Sequence, residues 1–136
     1  MRFMILLKGD PPEGATPSTE LIEAMLRYSE DLAKAGVLLA GEGLHSSAAG
    51  ARVVYKSGRR TVVDGPFAES KELIAGFYII QVRSKEEAIE WAMRCPVDVA
   101  VEGDQEAVVE IRQVAEVSEL PEMTEEQRGR HQAASG

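Results

Sequence analysis

Val62-Val63-Asp64-Gly65-Pro66-Phe67-Ala68-Glu69-Ser70-Lys71-Glu72-Leu73-Ile74-Ala75-Gly76-Phe77-Tyr78-Ile79-Ile80 links the end of one apolar segment to the start of another. How the chain turns between them decides the fold. Gly65 supplies backbone freedom, and Pro66 fixes its own φ and disfavours the right-handed helical region for the residue before it. Asp64 therefore stands at a defined bend where a strand stops, a common place for functional groups. On local grounds alone the tetrapeptide is a turn in which Asp64 caps backbone N–H groups and Phe67 fills core space.

Working outward, Gly76–Val82 is rich in aromatic and β-branched residues and reads as the best strand in the chain. Upstream, Val53-Val54-Tyr55 and Thr61-Val62-Val63 flank Lys56-Ser57-Gly58-Arg59-Arg60, a hairpin with Gly58 in its turn. Phe3–Leu7 is a continuous apolar run closed by Gly9 and Pro11-Pro12, a strand central in its sheet. Leu21, Met25, Tyr28 and Leu32 follow at helical spacing, with entry expected at Thr16-Pro17 and a stop at Gly36. Val37–Ala40 is a short strand that Gly41-Glu42-Gly43 is expected to break, and 44–50 is a loop. Ser84 and Glu87 form a capping-box pattern for a helix that Pro96 ends, and Val108–Val114 alternates as a half-exposed strand.

The order is βαββαβ with a hairpin insertion, an α+β ferredoxin-like plan with both helices on one face of the sheet. The expected domain spans 1–117. Residues 118–136 form a polar tail, expected to be mobile or to contribute a short helix near Glu125–Arg128.

Composition narrows the function classes. A chain of 136 residues suits one domain with its own core. The single cysteine, Cys95, permits no disulfide framework and suggests a reducing, cytoplasmic setting. The formal charge of −8 argues against nucleic acid as a partner, and no run approaches the ~20 apolar residues of a membrane helix. No Walker loop, dinucleotide fingerprint, paired histidines at metal spacing or Cys-x-x-Cys is present, so neither a metal nor another cofactor is expected.

The stretch from Val62 to Ile80, with the strands and helices in this order around it, resembles the signature of DGPF-domain proteins of the YCII-related family. That resemblance implies a dimeric α+β barrel, in which two copies of a one-faced sheet stack and a homodimer results. It also implies a dyad, and the matching residues here are His45, in the loop after the second strand, and Asp64. A carboxylate accepting from one imidazole nitrogen fixes the tautomer and raises the basicity of the other. Glu42 and Glu69 flank these residues, and Phe67 and Phe77 are candidates for pocket wall; all four are expected substrate-binding positions. The implied function is a small organic ligand handled by cofactor-free acid/base chemistry of the isomerase or lyase kind. The alternative is a non-catalytic ligand-binding or regulatory partner linked to sigma-factor-dependent transcription, an association the resemblance also suggests.

Overall fold

The computed structural model describes residues 1–135. Its elements are β1 (Arg2–Lys8), α1 (Thr19–Lys34), β2 (Leu38–Gly43), β3 (Ala51–Lys56), β4 (Arg59–Asp64), β5 (Ile74–Gln81), α2 (Lys85–Met93), β6 (Val109–Gln113) and α3 (Glu125–Ser135). The main sheet has the order β2-β5-β1-β6 with every pairing antiparallel. Without β3 and β4 this is the ferredoxin-like topology expected from the sequence.

Strand register sorts the side chains. Direct cross-strand partners share a face and neighbours along a strand alternate. Phe3 and Ile5 of β1 lie opposite Ile80 and Tyr78 of β5. These four are buried in one cluster with Tyr28 and Leu32 of α1 and Ala88 of α2, so both helices cover that face. Ile5, Leu32 and Ile80 are fully enclosed; each stabilises the fold by about 1.5–3 kcal/mol. The opposite face presents Met4 beside Ile79 and Leu6 beside Phe77. Leu6 is buried there, and the other three are half-buried.

Polar groups at the helix-covered face are satisfied. The Tyr28 hydroxyl donates to the Trp91 carbonyl at 2.7 Å, and the Tyr78 and Ser29 hydroxyls meet at 3.1 Å. The two tyrosine rings pack edge to face, 5.4 Å between centroids. Burial raises both phenol pKa values, and Ser29 partly offsets the shift at Tyr78.

Two local expectations are corrected. Helix α1 starts at Thr19, and Ser18, not Thr16, caps it by accepting from the Leu21 N–H at 3.1 Å. Strand β2 does not break at Gly41-Glu42-Gly43 but runs through it, with Gly41 opposite Tyr78 and Gly43 opposite Gly76. The reason is close approach: a Cβ at Gly41 would lie 2.6 Å from a Tyr78 ring carbon. Glycine leaves room for the tyrosine ring beneath the strand.

The hairpin forms as expected, with Ser57 (φ 52°) and Gly58 (φ 76°) both left-handed as a two-residue turn requires. Ser84 accepts from the Glu87 N–H and starts α2. The polar tail forms α3, longer than the short helix considered from sequence and with no buried residue. Thr124 and Gln127 cap it reciprocally, and the Arg128 guanidinium donates to the Val117, Leu120 and Met123 carbonyls. Among the described residues no helix is long and apolar enough to cross a membrane.

Gly41→Ala should force the Tyr78 ring from its place between Ser29 and Tyr28 and destabilise the protein by about 1–3 kcal/mol, the usual range for overpacking. Thermal unfolding and the near-ultraviolet tyrosine signal would both report it. An unchanged melting temperature would show that Tyr78 can yield without cost.

Candidate functional site

The signature loop is held by a serine. Strand β1 ends at Lys8, and two residues on, past Gly9, Asp10 reaches across to the loop after β2. Its two carboxylate oxygens accept from the Ser47 N–H at 2.7 Å and the Ser47 hydroxyl at 2.5 Å. The same Oγ accepts from the Phe67 N–H at 3.1 Å. Ser47 thereby joins the β1–α1 loop, the β2–β3 loop and the segment after β4.

Gly65 completes the junction. Its N–H donates to the Gly50 carbonyl at 2.9 Å, and a Cβ placed on it would lie 1.7 Å from the Ser47 carbonyl oxygen. No other residue type fits without displacing one loop from the other. Ser46 accepts from the Ala48 N–H and shapes the 3-10 turn Ser47–Ala49 that offers this carbonyl. The Gly65–Pro66 peptide is cis. Phe67, half-buried, lies under the Arg52 guanidinium, 3.8 Å from its ring centroid.

His45 is exposed and lies two residues before Ser47. Asp64 is exposed too, the last residue of β4, opposite Ala51 and next to Gly65. The two side chains belong to loops that touch, yet no hydrogen bond joins them; the carboxylate bonded in this region is Asp10, to Ser47. Glu42 and Phe77 are direct partners across β2 and β5 and share the face that α1 and α2 leave open. Glu69 is exposed, caps nothing with its side chain and precedes the 3-10 turn Ser70–Glu72.

Two surface depressions of about 540 Å³ lie elsewhere, one against α3 beside His131 and one between α2 and β6 beside Cys95. Burial and the nearby Asp98 push the Cys95 thiol up to about 12, so it stays protonated and is no nucleophile near neutral pH. Among the described residues no group of three or more histidine, cysteine or carboxylate side chains is arranged for a metal ion.

Sequence reasoning missed Asp10, Ser47 and Arg52. Asp10 had a signal: it follows a glycine at the end of a strand and precedes a proline, much as Asp64 precedes Gly65-Pro66. Ser47 lies in a run of small residues with nothing to mark it, because its partners are 37 and 20 positions away.

A ferredoxin-like α+β domain whose signature turn docks on the loop after β2 is the class defined by these observations. The chain belongs to the YCII-related family: the profile of the YCII-related domain matches residues 1–118. An uncharacterised protein of Rhizobium meliloti (strain 1021) is 32% identical over 96 residues, covering 68% of this chain and 77% of that protein.

Hydrogen bonds from the Ser47 hydroxyl, and then from its N–H, hold the Asp10 carboxyl below its ordinary value of 3.8. A depressed folded-state pKa contributes stability that is present above the unfolded value and lost as pH falls through the folded one. Asp10→Asn should therefore reduce the loss of stability on acidification below about pH 3.8, measured by denaturant unfolding across pH 2–6. Superimposable pH profiles for variant and wild type would show that the Asp10–Ser47 bond is not kept in solution. Gly65→Ala should be the harsher change, detaching the signature loop and shifting the backbone amide resonances of 45–50 and 64–67.

Proposed function

We propose that this YCII-related protein is a homodimer that binds a small organic molecule beside His45 and Asp64 and transfers a proton on it. His45 is the proton carrier, and Asp64 orients its ring. The observation that carries the reading is the contact of Gly65 with Ser47 and Gly50, which ties the loop bearing Asp64 to the loop bearing His45. Both side chains are exposed and free of internal hydrogen bonds among the described residues, so both are available to a ligand.

A cleft needs walls, and the two depressions described above lie elsewhere on the single chain. The helix-free face of the sheet supports a second copy as the source of those walls. Met4, Phe77 and Ile79 leave part of their apolar surface uncovered there, with Glu42 beside Phe77. Stacking two such faces removes that surface from water and brings Phe77 and Glu42 into the interface. The chemistry calls for one proton carrier, which suits isomerisation, elimination or lactone opening.

Deuterium exchange tests it. A panel of enolisable keto acids and lactones incubated with the protein in D2O should include a compound whose α-proton is replaced, followed by proton NMR. His45→Gln should slow that exchange by about 10²–10⁴-fold, and Asp64→Asn by less. A compound that shifts the His45 resonances without exchanging would make the protein a non-catalytic binder. Sedimentation at micromolar concentration should give twice the 14.8 kDa chain mass.

A further inference from the structure

We propose that the β3–β4 hairpin is an arm that docks on a second copy of this chain, in the groove between α2, β6 and the acidic segment 97–107. The proposal rests on the homodimer reading and adds a contact distinct from the stacked sheet faces.

Beyond its base, where Arg52 lies over Phe67 and the Gly65 N–H donates to the Gly50 carbonyl, the hairpin joins no other strand of its own chain. Its strands pair only with each other, as a separate two-stranded sheet. Val53 faces Val62 on one side and Val54 faces Thr61 on the other. Exposure of the hairpin's large apolar residues nonetheless runs from 42% at Val63 to 69% at Tyr55. A lone hairpin is marginal in water, and one with apolar residues bare on both faces needs cover.

The chain exposes more surface than a compact monomer of its mass, with the bare hairpin and the solvated α3 both contributing. Its accessible surface is 10154 Å², whereas a compact monomer of this mass exposes about 7,000 Å². The excess of about 3,000 Å² exceeds the ~800 Å² that one partner contributes to an ordinary stable interface.

Charge selects the occupant. Residues 51–63 carry Arg52, Lys56, Arg59 and Arg60 and no carboxylate, in a chain whose net charge is −8. Residues 97–107 carry Asp98, Glu102, Asp104 and Glu106 and no cation. Among the described residues none of these eight side chains forms an ion pair within the chain. The acidic segment borders the groove of about 540 Å³, whose walls include Ile89, Met93, Val101 and Val109. Met93 is 81% exposed. An apolar, cationic arm and an apolar groove lined in part by Asp98, on a segment that carries Glu102, Asp104 and Glu106 as well, are complementary, and a two-fold axis that exchanges the arms makes the contact twice.

The test is charge reversal followed by sedimentation equilibrium at 0.1 M salt, with folding checked by circular dichroism. Arg59→Glu with Arg60→Glu should weaken dimerisation by about tenfold or more, and Asp104→Lys with Glu106→Lys should do the same. The chain carrying all four changes should recover to within about threefold of wild type, because a reversed arm then meets a reversed groove. Additive weakening in that chain, or unchanged affinity with the arm reversed, overturns the proposal. If Ile79→Asp then still dissociates the dimer, the stacked sheet faces stand without the arm. A wild-type chain that stays monomeric at every concentration overturns both readings.

Discussion

A four-stranded sheet has two faces, and α1 and α2 cover one. That constraint organises the rest of the molecule. On the covered face Phe3, Ile5, Tyr78 and Ile80 interdigitate with Tyr28, Leu32 and Ala88, at a density where even a methyl group at Gly41 has no room. Every residue pointing the other way depends on neighbours within the sheet or on something outside the chain. On that open face Leu6 is buried within the sheet, and Met4, Phe77 and Ile79 keep part of their apolar surface, the surface that the proposed second copy would cover.

The candidate site stands at the end of this sheet, not on it. Ser47 uses its N–H, its hydroxyl and its carbonyl to bring Asp10, Phe67 and Gly65 to one point. Three loops that would each be mobile alone restrain one another, so His45 and Asp64 are presented from a framed edge. Asp10 is the carboxylate used in that framing, and its hydrogen bonds stabilise its ionised form. A charge committed to structure leaves Asp64 free, a division of labour between two carboxylates that each precede a proline within two residues.

Electrostatics divides the surface as well. The chain is acidic overall, yet its inserted hairpin carries four cations and a single carboxylate, Asp64 at its base, and its tip residues Lys56 and Arg59 are paired across the turn. Like charges directly opposite one another weaken a hairpin. Their presence here opposes folding of the isolated arm, and an acidic surface against it would relieve the repulsion.

Much of this was legible in the sequence because it rests on short-range chemistry. Alternation and apolar runs marked β1, β5 and β6, helical spacing marked α1 and α2, the Ser84 cap marked the start of α2, and Gly58 marked the hairpin turn. The Asp64–Phe67 signature identified the family to which the chain belongs. Glycine was ambiguous: at Gly41 it signalled close packing against Tyr78, and the sequence offers no way to tell that from a break. Likewise the partners of Ser47 are set by where the sheet brings the ends of β1 and β4, tens of residues apart. Local propensity is a property of neighbouring residues and can be read along the chain, whereas the Ser47 junction and the bare faces of the hairpin arise from contacts that exist only once the sheet has formed.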